Sequence, residues 1–220
     1  MTLAPELSKH ARLVLYDLRG HGRSDTSARQ DYAIASQAGD VAAVVDSLHL
    51  PRFVLAGHSM GGSIAIAYAG LHPERVAGLL VTGTPGKSTA EQSRPIIASL
   101  EGENYQKVMG DYMKRLTTGA RPEVDSLVTR GVDRLSKPAT VSMIKAVFQY
   151  DPIPDFRRYG GPKLIVSTPG DNQPNALSRQ APSVMVRTVE GTSHWIQMDK
   201  PEEFNRILDE FLKTVEGKGN

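Results

Sequence analysis

Cysteine is absent from the 220 residues of the chain. This excludes disulfide bonds, zinc sites built on thiolates and a thiol nucleophile. No apolar run reaches the roughly 18 residues that a membrane-spanning helix needs, and the first residues lack the basic and apolar regions of a signal peptide. We therefore expect a cytoplasmic protein that does not bind a membrane.

A dominant charge of one sign is also lacking. The sequence has 26 lysine and arginine residues against 24 aspartate and glutamate residues, which leaves a net charge of +2. That balance is too even to indicate binding to nucleic acid. Because there is neither a dinucleotide-binding fingerprint nor a phosphate-binding loop, we expect no cofactor, and we predict no metal site. The length suits one domain with a substantial core.

Strand-like and helix-like segments alternate along the chain. This pattern predicts an α/β fold, with a mostly parallel sheet covered by helices on both faces. The predicted strands are Arg12–Tyr16, Phe53–Ala56, Leu79–Thr82, Lys163–Ser167 and Val184–Val189. A helix is predicted from Ile34 to Leu48, where apolar residues recur at helical spacing. A C-terminal helix follows Asp199, which we expect to form a capping box with Glu202.

The stretch from Pro85 to Asp155 breaks this alternation with amphipathic helices and no convincing strand. Their predicted apolar faces lie within Tyr105 to Leu116, Val124 to Leu135 and Val141 to Phe148. A helical block between two strands would lie over the carboxyl ends of the strands, where open α/β sheets bind ligands. We therefore predict a core formed by residues 1–84 and 156–220, with residues 85–155 inserted as an all-helical cap.

A G-x-S-x-G motif, Gly57-His58-Ser59-Met60-Gly61, directly follows the strand Phe53–Ala56 and precedes a helix rich in small residues. In this context the motif is typical of a nucleophile elbow, with Ser59 as the nucleophile. We expect side chains at positions 57 and 61 to collide with neighbouring backbone in so sharp a turn. The backbone N–H of Met60, at the start of the helix, is the expected oxyanion donor.

A serine hydroxyl needs a base to become a good nucleophile. Of the six histidines, His194 fits this role best, because it lies between the last predicted strand and the last helix. That position falls on the same edge of the sheet as the elbow. His58 adjoins Ser59, but neighbouring side chains diverge at an elbow, so we do not expect it to reach the hydroxyl. His58 and Trp195 are the expected substrate contacts.

The carboxylate that orients His194 should follow a strand between the nucleophile and the base. Asp171, after the strand Lys163–Ser167, meets this requirement, although it could equally be a turn residue. A shift of one position would place Asn172 there instead, and an amide cannot stabilise a charged imidazole in the same way. Asp151 is a reserve candidate.

Three ordered motifs resemble those of the α/β-hydrolase superfamily, namely Asp17-Leu18-Arg19-Gly20-His21-Gly22-Arg23-Ser24, Gly57 to Gly62 and Gly191 to Trp195. They are most similar to its esterases, lactonases and cofactor-free haloperoxidases with a helical cap. The resemblance implies Ser59 as nucleophile, His194 as base and Asp171 as acid. It also implies that the first motif is a structural loop beside the site. The serine argues against the members with an aspartate nucleophile.

The chain departs from the family pattern at its start. Members usually begin with strands of which the last ends in a His-Gly loop that supplies a second oxyanion N–H. His21-Gly22 is not that loop, because it follows the next strand along. The resemblance places the missing strand between Arg12–Tyr16 and Phe53–Ala56. A miscalled start codon, a natural short form whose flanking strands pair directly, and a degenerate relative remain as explanations.

The sequence thus predicts a serine hydrolase that cleaves carboxylic esters or related acyl substrates through a Ser-His-Asp triad and an acyl-enzyme. Lactone opening, perhydrolysis and carbon–carbon bond hydrolysis by the same residues stay open. The alternative is a ligand-binding or catalytically impaired pseudo-hydrolase that lacks the second oxyanion donor. A homodimer in which another chain fills the gap in the sheet is a further hypothesis.

Overall fold

The computed structural model describes residues 12–132 and 135–217. Within those residues one sheet contains four parallel strands in the order β1-β2-β3-β4. They are β1 (Phe53–His58), β2 (Val76–Thr82), β3 (Lys163–Ser167) and β4 (Met185–Thr188). Because the strands are parallel, all four carboxyl ends lie at one edge of the sheet. The predicted α/β fold with a parallel sheet is confirmed.

Helices cover both faces of this sheet. In the described part of the chain they are α1 (Ile34–Ser47), α2 (Met60–Leu71), α3 (Ala90–Glu101), α4 (Tyr105–Leu116), α5 (Pro122–Val132), α6 (Lys137–Gln149), α7 (Ile153–Arg158), α8 (Leu177–Gln180), α9 (Ile196–Asp199) and α10 (Pro201–Glu216). A 3-10 turn spans Pro169–Asp171. None of the described helices is both long enough and apolar enough to cross a membrane.

The core lies on both sides of the two central strands. On one face, α1 and α2 pack with Leu79, Val81 and Ile165. On the other, α10 packs with Leu80, Leu164 and Val166. Successive residues of a strand point to opposite faces, so a strand buried on both sides must be apolar at every position. This requirement explains the continuous apolar runs of β2 and β3.

The prediction of a strand at Arg12–Tyr16 is wrong. Residues 12–16 pair with none of the described strands, and the side chain of Leu15 is 63% exposed. An apolar run becomes a strand only where a neighbouring strand can accept and donate its backbone hydrogen bonds. Among the described strands, β1 pairs only with β2. Direct pairing of Arg12–Tyr16 with β1 is therefore not seen.

The helix that ends the described chain begins at Pro201, close to the predicted position, but its predicted capping box is wrong. Lys200 occupies the N-cap position and its side chain makes no capping hydrogen bond. Asp199 is the last residue of α9, and its buried carboxylate accepts hydrogen bonds from Ser193 and Arg121 instead. The carboxylate is therefore not free to cap α10.

The described residues between β2 and β3 form helices α3 to α7 and no strand. The helices predicted near Tyr105 and Pro138 correspond to α4 and α6. Helix α3, which carries Pro95 in its interior, was not singled out by the pattern. An apolar cluster of residues from these helices includes Leu100, Tyr105, Met109, Met113 and Val141, and Trp195 packs against it. That this segment forms a separate cap stays a prediction.

Candidate active site

Ser59 lies at the tip of a sharp turn between β1 and α2. Its backbone angles are φ 53° and ψ −119°, a region that residues other than glycine rarely adopt. The Ser59 N–H donates to the carbonyl of Thr82, at the end of β2, over 2.9 Å. A Cβ at position 57 would lie 2.3 Å from the carbonyl oxygen of Gly61, so Gly57 is required by close backbone packing.

The expectation for the second glycine of the motif is wrong. A Cβ at Gly61 would meet no atom within 4 Å, whereas a Cβ at Gly62 would lie 1.8 Å from Oγ1 of Thr84. The close approach is therefore between the first turn of α2 and the residues after β2. It involves the glycine that follows the motif.

Met60 is the first residue of α2, so its backbone N–H has no acceptor within the helix. The helix dipole favours negative charge at this end. The Met60 side chain packs beside Tyr32 and Met143. Gly20, in the loop Asp17–Ser24, lies against the same two side chains. The loop is therefore next to the start of α2.

The loop Asp17–Ser24 is held to the core by an ion pair. Arg19 donates from Nε and Nη2 to the two carboxylate oxygens of Asp40 in α1, over 2.6 and 2.7 Å. Within the loop, a carboxylate oxygen of Asp17 accepts the N–H of Arg23 over 3.0 Å. These contacts give the loop a structural role.

His194 and Asp171 face each other across the carboxyl ends of β3 and β4. Nδ1 of His194 is 3.7 Å from Oδ1 of Asp171, an ion-pair distance longer than a hydrogen bond, and the side chains are 11% and 25% exposed. The other oxygen of Asp171 accepts the N–H of Thr168 over 2.9 Å. Burial raises the pKa of Asp171, but His194 and the Thr168 N–H outweigh it and hold the pKa below its usual value. The carboxylate is therefore ionised at neutral pH.

The other two candidates for the position opposite His194 have partners elsewhere. Oδ1 of Asn172 accepts a hydrogen bond from Nε of Arg179 over 2.7 Å. A carboxylate oxygen of Asp151 is 2.9 Å from Nζ of Lys87. Of the three candidates, the structure therefore brings Asp171 to His194, while Asn172 and Asp151 bind elsewhere.

His58 lies directly against His194, with ring centroids 4.7 Å apart. Its Nε2 is 2.9 Å from the carbonyl oxygen of His194. Burial, together with the neighbouring His194, lowers the pKa of His58 to about 3. The ring is therefore neutral at physiological pH, and its proton is on Nε2, because a carbonyl oxygen only accepts. That His58 contacts substrate stays a prediction.

Gly83 is a residue that sequence reasoning missed. It directly follows β2 with φ +56°, and a Cβ there would lie 2.8 Å from Cε1 of His194 and 3.3 Å from Nε2 of His58. Thr82, the residue before Gly83, accepts the backbone hydrogen bond of Ser59. Gly83 therefore brings the two histidine rings next to the elbow. A glycine just past a buried strand is the only sequence signal for this role.

The backbone around His194 is fixed by hydrogen bonds. The N–H and the hydroxyl of Ser193 both donate to Oδ2 of Asp199, over 2.8 and 2.5 Å, and Oγ of Ser193 accepts the N–H of Trp195 over 3.1 Å. The N–H of His194 donates to the carbonyl of Leu116, the last residue of α4, over 3.0 Å. The Trp195 ring meets the His194 ring edge-on, with centroids 5.2 Å apart. Sequence spacing does not indicate these contacts.

The site therefore combines a strained serine, a helix-start N–H and an imidazole that faces an ionised carboxylate. All of them follow strands at one edge of the sheet. In the parts of the chain that the structure describes, no group of three or more histidine and carboxylate side chains is arranged to hold a metal ion. The arrangement has the parts that nucleophilic acyl transfer requires.

Known proteins resemble this chain. The family model described as alpha/beta hydrolase fold matches residues 1–110, half of the sequence. A Bacillus subtilis (strain 168) protein, provisionally named 2-succinyl-6-hydroxy-2,4-cyclohexadiene-1-carboxylate synthase, is 24% identical over 243 residues, which cover 97% of this chain and 85% of that protein. A serine hydrolase-like protein of Danio rerio is 41% identical over 108 residues, which cover 48% of this chain and 32% of that protein.

A solved structure extends this likeness to most of the chain. The enol-lactonase from Burkholderia xenovorans LB400 superposes with a TM-score of 0.81 at 25% identity. The match covers 96% of this chain and 84% of the lactonase. Together with the family match and the Danio rerio relative, it supports a hydrolase function.

Proposed function

The chain belongs to the alpha/beta hydrolase fold family, and we propose that it is a serine hydrolase that cleaves carboxylic esters or related acyl compounds. The observation that carries this proposal is the position of the His194–Asp171 pair. The His194 ring, which faces Asp171, lies over Gly83, one residue beyond the carbonyl that binds the Ser59 N–H. A nucleophile, a base and an acid thus share one edge of the sheet.

In the proposed reaction, the hydroxyl oxygen of Ser59 attacks the acyl carbonyl while His194 accepts the hydroxyl proton. Asp171 holds the ring orientation and stabilises the imidazolium that forms. The N–H of Met60 donates to the oxyanion of the tetrahedral intermediate. His194 then protonates the leaving alcohol, and a water molecule deprotonated by His194 releases the acyl group from Ser59.

We propose that the substrate is a small molecule bound between the sheet edge and residues 85–155, which act as a cap. Trp195 supports this location, because its ring touches His194 and packs on the apolar cluster of the helical segment. His58 and Trp195 border the site in this proposal. Lactones are cyclic esters, so the same residues would open them, and the structural likeness to an enol-lactonase makes this substrate class a natural first choice.

Hydrolysis of p-nitrophenyl acetate by the full chain tests the proposal. We expect turnover that falls by about 10⁴-fold or more in the Ser59→Ala and His194→Ala variants, because the members of a triad act as a unit. Ser63→Ala is a matched control, since Ser63 is a buried serine in α2, one helical turn after Ser59. Turnover that persists unchanged in Ser59→Ala would refute the proposal.

A ligand-binding protein with little or no turnover is the second candidate. One observation favours it: within the described residues, no strand pairs with the outer edge of β1. The N–H of Met60 is then the one oxyanion donor identified among the described residues. Loss of a second donor typically costs about 10²–10³-fold in kcat. This candidate predicts that p-nitrophenyl acetate gives no pre-steady-state burst of p-nitrophenol. A burst of one equivalent per chain would argue for the hydrolase.

A further inference from the structure

We propose that Asp199 is a positioning residue for His194 and that it ties the base to the helical segment, residues 85–155. This inference rests on the proposed function, in which His194 is the base. Asp199 does not touch the reacting groups. It would act through the backbone on both sides of His194.

Both oxygens of the buried Asp199 carboxylate are used. Oδ2 accepts the N–H and the hydroxyl of Ser193, and Oδ1 accepts the N–H of Arg121 over 3.0 Å. The hydroxyl oxygen of Ser193 in turn accepts the N–H of Trp195. One carboxylate therefore fixes the residue before His194 directly and the residue after it through a single hydroxyl.

The same carboxylate reaches the helical segment. Arg121 lies between α4 and α5, and besides its N–H contact with Asp199 it donates from Nη2 to the carbonyl of Met198 over 2.8 Å. The carbonyl of Leu116, at the end of α4, accepts the N–H of His194. Residues 116–121 therefore lie along the loop of the base. A shift of α4 or α5 would move the backbone of His194.

The presence of a carboxylate at this place, rather than a neutral amide, is informative. A buried carboxylate without partners is strongly unfavourable, and it is tolerated here because three donors converge on it. No neutral side chain of the same size accepts all three hydrogen bonds. The carboxylate thus gives the loop one defined position, and catalysis depends steeply on such positions, since a misplacement of about 1 Å can cost about 10²-fold in rate.

The variant Asp199→Asn tests the inference in the full chain. Asparagine keeps the size but places an NH₂ group against either the Arg121 N–H or the Ser193 donors, so donor meets donor. We expect kcat for p-nitrophenyl acetate to fall about 10–100-fold with KM within about twofold, because the substrate contacts are kept. Ser193→Ala, which removes only the hydroxyl, should give a smaller fall in kcat.

Asp155→Asn is the matched control. Asp155 also has a largely buried carboxylate with two donors, the hydroxyl of Tyr150 at 2.8 Å and Nη1 of Arg158 at 2.9 Å, but it packs against Gly70, at the far end of α2 from Ser59. A loss of stability alone would affect both variants. We expect kcat of the folded Asp155→Asn protein to stay within about twofold of the wild type.

The nitrogen chemical shifts of the His194 ring provide a readout that needs no turnover. We expect one tautomer with the proton on Nδ1 in the wild type and a mixture in Asp199→Asn. If the wild type cleaves no ester and the ring still changes in this variant but not in Asp155→Asn, the proposed function fails and the positioning role stands. Unchanged ring signals and unchanged kcat in Asp199→Asn overturn the positioning role. If Asp199→Asn does not fold, Ser193→Ala decides by the same two measurements.

Discussion

The turn that carries Ser59 and the loop that carries His194 lie at the same sheet edge but are fixed by different means. The turn is fixed by backbone geometry: a positive φ, one backbone hydrogen bond to Thr82 and a glycine where no Cβ fits. The loop is fixed by side-chain contacts from outside it, chiefly from Asp199, six residues after Ser193, and from His58 in the turn. The nucleophile can therefore be recognised from a short motif, whereas the residues that hold His194 in place are known only from the folded structure.

Among the changes to these two regions, loss of the carboxylate that faces His194 should have the largest effect on activity. Asp171→Asn should lower kcat for p-nitrophenyl acetate by about 10³–10⁴-fold, because an amide neither stabilises the imidazolium nor holds the same tautomer. Steady-state kinetics measure this loss. Asp151→Asn is the control, since Asp151 pairs with Lys87 instead. A greater loss in Asp151→Asn than in Asp171→Asn would show that the acid is misassigned.

The next effect tests the backbone support of the elbow. Gly57→Ala should lower the free energy of unfolding by about 2–4 kcal/mol, since its Cβ would meet the carbonyl of Gly61 at 2.3 Å. Gly61→Ala, with space around its Cβ, should instead raise it by about 0.5–1 kcal/mol through helix propensity. Urea unfolding followed by circular dichroism measures both. Equal stability of the two variants would contradict the close packing at Gly57.

The smallest effect concerns His58 and the pH dependence of stability. The pKa of His58 is about 3 in the folded protein and about 6.5 in the unfolded chain. The unfolded chain therefore binds more protons between these values, so stability falls as the pH falls below about 6.5. His58→Gln keeps an N–H donor for the His194 carbonyl but cannot titrate. Between pH 7 and pH 5 its stability should fall less steeply, by up to about 1.4 kcal/mol per pH unit.

Unfolding free energies at pH 5, 6 and 7 check this expectation. Asp171 also has a lowered pKa, but its contribution is lost only as the pH falls below about 4. The window from pH 5 to 7 therefore excludes the contribution of Asp171, and the difference between the wild type and His58→Gln reports on His58. His49→Gln is the control, because the His49 side chain is exposed to solvent. Parallel pH profiles for the wild type and His58→Gln would show that His58 is not held neutral.

Much of the fold could be predicted because its signals are local. The apolar runs of β2 and β3 reflect burial on both faces of the sheet. The five residues of the Ser59 motif are enough to predict the sharp turn between β1 and α2. Ser59, Asp171 and His194 were expected to lie near each other because each follows a predicted strand, and parallel strands end at the same edge of a sheet. The structure places the last two side chains together, as that order suggested.

What could not be predicted depends on partners elsewhere in the molecule. Arg12–Tyr16 has the composition of a strand, but no described strand lies beside it to complete its hydrogen bonds. Asp199 precedes a proline and a helix, which favours a capping role, yet Ser193 and Arg121 compete successfully for its carboxylate. In the first case the local propensity finds no described strand to pair with, and in the second the carboxylate binds partners outside the helix it was expected to cap.

The central claim is that His194 activates Ser59 at the sheet edge, and labelling with a fluorophosphonate probe tests it most directly. We predict a single adduct by intact mass at pH 7, located on Ser59 by peptide mapping. The adduct should be absent in Ser59→Ala and should form at least about 10³-fold more slowly in His194→Ala. No labelling of the wild type, or equal labelling of all three proteins, would contradict the claim.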